Sequence, residues 1–266
     1  MTCNAIAFPP DGTSILSGWS DGKVRSFGPQ SGNLKYVIND AHRLTGMGNA
    51  SGGTVQINGV TAVTPTNDGR RLLTGGADGK VRVWAVSKAQ QVMVASMQEH
   101  KGPIFSIAIR ANDAECVSAS ADGSCIVWAL AGLTPYTRVG VLFAPQFFKC
   151  AVYLPDESQI LTCGTDRKVT YWDSTDFSQI RVVDASEEAE MTSLHISGDG
   201  TFFASGSADR RVKLWSYDEG VAYCVGNAHS SAVAAIKISP DEQTVVSVGR
   251  EGGINIWRVP EGMGAA

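Results

Sequence analysis

The chain has 266 residues, 43% apolar and 18% charged, a length and balance that can bury a sizeable core in one all-β domain. Its net charge of −4, with no visible basic patch, speaks against general nucleic-acid or membrane-surface binding. No apolar run approaches the roughly 20 residues of a membrane-spanning helix, no secretory pattern opens the chain, and the six cysteines, with no C-x-x-C pair, read as reduced strand residues rather than disulfide or zinc ligands.

Six segments share one layout along the chain: an apolar strand, a turn, a short strand ending in small residues, an acid, and a strand ending in an aromatic. They close as ILSGWSDGKVRSF, LLTGGADGKVRVW, CVSASADGSCIVW, ILTCGTDRKVTYW, FASGSADRRVKLW and VVSVGREGGINIW, anchored by Phe27, Trp84, Trp128, Trp172, Trp215 and Trp257. Successive anchors lie 57, 44, 44, 43 and 42 residues apart. A period of about 40–45 residues with four short strands per unit is the signature of a WD40-repeat β-propeller. Asp21-Gly22, Asp78-Gly79 and Asp122-Gly123 supply tight turns between the second and third strands.

The repeats resemble the WD-repeat pattern in a finer respect. In such families a turn Asp contacts a loop His, which contacts a Ser or Thr on the second strand and then the Trp indole. Two repeats match residue by residue: His42, Thr74, Asp78 and Trp84, then His100, Ser118, Asp122 and Trp128. Linked polar groups of this kind orient strands and leave no donor unpaired. The next two repeats keep Asp166 with Trp172 and Asp209 with Trp215 but show no loop His; the last keeps His229, Ser247 and Trp257 and replaces the Asp with Glu251.

The pattern starts inside a first strand and stops after a third strand at Trp257, so the expectation is a seven-blade ring lacking one blade, with residues 1–266 forming a single propeller cut from a larger protein. The long first gap places a Gly-rich insertion at 43–57, either a tolerated surface loop or a docking element that opens on Arg43. Trp19 stands where other repeats carry Gly or Ser; it is either a partner anchor, a filler of space, or compensation for Phe27. Arg250 is either a contact for an acidic partner or half of a local ion pair. His195, on an inner strand without Cys, Asp or His neighbours in the pattern, does not read as a metal ligand.

Stretches outside the repeat signature, among them NLKYVINDAHR, RRVKLWSYDEG and VGNAHSSAVAAIKISP, resemble the C-terminal half of the cilia- and flagella-associated protein 52 family, from about Thr2 to Val259. That resemblance implies two tandem propellers in the whole protein and a place in the cytoplasm, in the axoneme of cilia and flagella. It further implies a microtubule inner protein bound to tubulin of the doublet microtubule beside neighbouring axonemal proteins. The sequence carries no nucleophile–base pair, phosphate loop or metal-spaced cluster, so the reading is a non-catalytic scaffold with no cofactor and no nucleic-acid or membrane partner. The alternative reading is a cytosolic WD-repeat adaptor for another complex such as a ubiquitin ligase.

Overall fold

The computed structural model describes residues 1–42, 59–87, 89–133 and 135–260. The insertion at 43–57, with Arg43, lies outside the described residues. Everything regular among those described is β-strand, and six antiparallel sheets follow one another along the chain. Two compact units divide it, Met1–Val141 and Leu142–Ala266.

In the first unit, β1 (Cys3–Ala7), β2 (Ile15–Trp19), β3 (Val24–Phe27) and β4 (Leu34–Ile38) form the first sheet. The second joins β5 (Val60–Pro65), β6 (Arg71–Gly76), β7 (Val81–Val86) and β8 (Gln91–Met97). The third joins β9 (Ile104–Ile109), β10 (Glu115–Ser120), β11 (Ser124–Ala129) and β12 (Arg138–Phe143). In the second unit come β13 (Phe148–Tyr153), β14 (Gln159–Gly164), β15 (Lys168–Asp173) and β16 (Gln179–Asp184), then β17 (Met191–Ile196), β18 (Phe202–Ser207), β19 (Val212–Ser216) and β20 (Ala222–Gly226). The sixth sheet holds β21 (Val233–Ile238), β22 (Thr244–Gly249) and β23 (Ile254–Arg258). Each sheet is a plain meander, so the all-β class and the six repeats expected from the spacing are what the chain forms.

Two hairpins recur in every sheet. Between second and third strands the third turn residue adopts a left-handed backbone; it is Gly in four sheets (Gly22, Gly79, Gly123, Gly252), while Arg167 and Arg210 hold the same conformation at φ 67° and 74°. Between first and second strands the same need falls on Gly12, Gly69, Asp113, Glu157, Gly200 and Glu242.

Side chains alternate across each strand, and the two faces pack on different neighbours. Leu72 and Trp84 of the second sheet join Leu16, Val24 and Ile38 of the first. Leu73, Val81 and Val83 turn the other way, onto Ile104, Ile107 and Trp128 of the third. The second unit repeats the scheme: Phe203 and Trp215 pack on Leu161, Val169 and Tyr171, whereas Ala204, Val212 and Leu214 pack on Val233, Ile236 and Val245. Each of these tryptophans therefore lies against the sheet that precedes its own.

Candidate functional site

The polar network is built on a buried hydroxyl in the middle of each second strand. Ten residues downstream a tryptophan donates its indole N–H to it: Trp84 to Thr74 at 3.0 Å, and Trp128 to Ser118, Trp172 to Thr162, Trp215 to Ser205 and Trp257 to Ser247, each at 2.8 Å. In three sheets a loop histidine reaches the same hydroxyl. His42 Nε2 lies 2.9 Å from Thr74 Oγ1, His100 Nε2 2.8 Å from Ser118 Oγ, and His229 Nε2 2.7 Å from Ser247 Oγ. The other ring nitrogen meets the turn acid: Asp78 at 2.8 Å, Asp122 at 2.9 Å and Glu251 at 2.6 Å.

One tautomer serves the acid and the hydroxyl together. A neutral imidazole donates Nδ1–H to the carboxylate and accepts the hydroxyl proton at Nε2, and the hydroxyl oxygen then accepts the indole N–H. Burial pushes the imidazoles of His42 and His100 below their usual range, and the facing carboxylates only partly offset this. Burial alone would raise Asp78, but the hydrogen bond and charge of His42, with the Arg82 guanidinium 2.9 Å away, hold it low. Asp122 is likewise held low against burial, by the Ser124 hydroxyl, the Lys101 N–H and His100. In these three sheets hydroxyl, imidazole and carboxylate hydrogen-bond one another.

Because these histidine pKa values are depressed in the folded state, the unfolded chain binds protons first as pH falls through about 6.5. Stability is then full above that pH and is lost below it. Each imidazole contributes a slope of up to about 1.4 kcal/mol per pH unit. Urea unfolding of the wild type between pH 7.5 and 5 is expected to show this decline, and His42→Gln/His100→Gln to reduce it, with the buried His195 supplying the remainder. An unchanged slope in the double variant would assign the acid sensitivity elsewhere.

Where histidine is missing, other side chains occupy its place. In the fourth sheet the buried Gln146 offers Oε1 to the Asp166 N–H at 3.5 Å; burial raises the carboxyl of Asp166, which no imidazole faces. In the fifth, Ser186 donates its hydroxyl to Asp209 at 2.9 Å. Sequence reading missed both, since neither Gln nor Ser marks such a loop position. In the first sheet the residue ten beyond Ser17 is Phe27, which has no donor. The indole of Trp19 supplies it instead, at 2.8 Å from Ser17 Oγ. Its ring carries the Arg25 guanidinium at 5.1 Å, itself paired with Asp21 at 2.6 Å. Trp19 thus works inside its own sheet; the spacing of ten could have revealed this.

Of the remaining candidates, Arg250 is exposed and makes no ion pair among the described residues, because Glu251 turns to His229 instead. His195 accepts the Ile238 N–H at 3.1 Å, tying β17 to β21, and enclosure with the nearby Lys237 charge pushes it down to about 3. No group of three His, Cys, Asp or Glu among the described residues is placed to hold a metal ion.

A further set of contacts joins neighbouring first hairpins. The Asp113 carboxylate, buried between the second and third sheets, accepts the N–H groups of Asn67 and Asp68, both at 2.8 Å, and the Asn67 amide at 3.0 Å. Glu242 does the same for the Asp199 N–H at 2.8 Å.

Comparison with known families matches "WD domain, G-beta repeat" to residues 2–27, 52–85, 91–129, 177–216 and 222–258. Over 97% of its length the chain is 51% identical to cilia- and flagella-associated protein 52 of Chlamydomonas reinhardtii. The Mus musculus and Homo sapiens proteins of that name are 42% and 41% identical over 98% of it. In each case it spans 39% of the relative's own length. Protein groucho of Drosophila melanogaster is a more distant relative, 25% identical over 77% of the chain.

Proposed function

Because the chain belongs to the WD40 repeat family and is similar over nearly its whole length to cilia- and flagella-associated protein 52, we propose that it is a non-catalytic scaffold of the ciliary or flagellar axoneme. Its place there is the wall of the doublet microtubule, where it acts as a microtubule inner protein that contacts tubulin and neighbouring axonemal proteins and stiffens the tubule against bending. The observation that carries the reading is the 51% identity over 97% of the chain. A WD40 fold alone would support only protein binding. Two features of the structure agree with a binding role. The histidine-bearing networks bond their polar groups to one another, and the fourth strands expose apolar residues such as Val92, Met93 and Val94 on β8 and Val221, Tyr223 and Val225 beside and on β20.

The test follows the intact parent protein through salt extraction of purified axonemes. A protein enclosed by the tubule wall stays with the doublets until the doublets themselves come apart, whereas one held by exposed ionic contacts leaves at moderate salt. Retention is expected. Release at moderate salt, or absence from axonemes, would overturn the reading in favour of a WD-repeat adaptor elsewhere in the cell.

A further inference from the structure

Two cysteines that sequence reading treated as unrelated strand residues face each other across the first hairpin of the fourth sheet. Cys150 on β13 and Cys163 on β14 are directly paired residues of an antiparallel ladder, next to a bulge at Lys149. Directly opposed side chains leave the sheet on the same face. That face is the one turned to the fifth sheet: Cys163 is wholly buried among Leu161, Val169, Met191 and Leu194, and Cys150 packs against the same cluster. The Cys150 thiol donates to the Leu194 carbonyl at 3.6 Å.

The register also points to a spacing near that of a disulfide. The Leu154 N–H bonds to the Gln159 carbonyl at 2.9 Å, and two steps of two residues along each strand, through Val152 and Leu161, arrive at Cys150 and Cys163 as a hydrogen-bonded pair. Such pairs have Cα atoms about 5.5 Å apart, in the middle of the disulfide range. The second sheet gives an independent gauge. Its equivalent pair is Ala62 and Gly75, and a Cβ placed on Gly75 would stand 3.3 Å from the Ala62 Cβ. Cβ atoms of disulfides lie about 3.5–4.5 Å apart, so little backbone movement separates the reduced pair from a bridge.

We propose that Cys150 and Cys163 are a redox-active pair that closes to a cross-strand disulfide when a peroxide is the oxidant. Cys150 is the entry point, because it is half-buried while Cys163 is sealed. The Cys150 thiolate attacks one peroxide oxygen; the O–O bond breaks, the leaving hydroxide takes up the proton that the thiol gave up and departs as water, and a sulfenic acid remains. The Cys163 sulfur then attacks the Cys150 sulfur, the S–S bond forms as S–O breaks, and the leaving hydroxide takes the Cys163 proton as a second water. Two electrons pass from the thiols to one peroxide. The bridge ends the Cys150 contact to Leu194, so the oxidised state differs where the fourth sheet meets the fifth.

The experiment uses the whole chain, reduced and then treated with hydrogen peroxide, unfolded, alkylated and cut by trypsin. Both cysteines fall on one tryptic peptide, residues 150–167. The expected product is that peptide lighter by two hydrogens and free of alkyl label. It should form about tenfold faster in the folded chain than in urea, since the fold holds the sulfurs in reach. Cys150→Ser and Cys163→Ser should each abolish the product; Cys150→Ser leaves Cys163 open to alkylation on unfolding, whereas Cys163→Ser leaves Cys150 as the sulfenic acid, which blocks alkylation. Full double alkylation after peroxide treatment, or equal rates in folded and unfolded chain, would overturn the proposal. Neither result bears on axonemal retention, so the two proposals fail separately.

Discussion

His100→Ala is expected to cost the protein about 3 kcal/mol, more than any other single loss in the polar networks. The imidazole is fully buried between two partners. Its removal leaves Asp122 short of a donor, Ser118 with only the Ile126 carbonyl at 3.3 Å to receive its proton, and a cavity beneath Trp128. The Lys101 N–H and the Ser124 hydroxyl still hold Asp122, which keeps the loss below that of a wholly abandoned charge. His229→Ala should cost less, because Glu251 is 23% exposed where Asp122 is 12% exposed, so water can replace part of the bond. His100→Gln should recover some of the difference, as Gln146 fills the corresponding place in the fourth sheet. Urea unfolding of the three variants at pH 7.5 checks the order. Equal costs for His100→Ala and His229→Ala would show that burial of the acid does not set the energy.

The second large effect is expected at Asp113. Its carboxylate is the acceptor for three N–H groups of the neighbouring hairpin, and hydrogen bonds to a charged group are the stronger kind. Asp113→Ala should cost about 2–3 kcal/mol. The backbone adds a discriminating control, because Asp113 sits at φ 56°. Alanine is strained there and glycine is not, so Asp113→Gly should be the more stable of the two by about 1 kcal/mol. Amide exchange read at Asn67 and Asp68 should accelerate in both variants. Unchanged exchange at those two amides would mean that the clamp does not hold the second sheet's hairpin.

Much of this architecture is written plainly in the chain. The aromatic anchors, the Asp-Gly turns and the alternation of small and apolar residues state six sheets and their strand order. The full networks around His42 and His100 follow from the same spacing. What escaped is instructive. Gln146 and Ser186 stand in for histidine through position alone, and position in an irregular loop is not legible from residue type. Asp113 and Glu242 look like ordinary turn acids, yet each acts across to the previous hairpin some 43–46 residues away. For Trp19 the sequence left three readings open, and the structure takes the one in which its indole makes the bond that Phe27 cannot. The pairing of Cys150 with Cys163 depends on a bulge that fixes the register, and no motif records it.

The six repeats are also copies that have drifted apart within one molecule, and their differences rank what drift tolerates. The hydroxyl on the second strand is present in all six, as Ser17, Thr74, Ser118, Thr162, Ser205 and Ser247, and each still receives an indole proton. The loop partner has wandered from histidine to glutamine and serine, the acid from aspartate to glutamate, and in one copy the indole itself comes from the neighbouring end of the strand. In the three histidine-bearing sheets the hydroxyl is a hub with two spokes, imidazole and indole, whereas in the fourth and fifth the loop side chain bonds the acid turn and the indole spoke remains. Drift in such a chain therefore erodes inward from the loops and halts at a single oxygen atom.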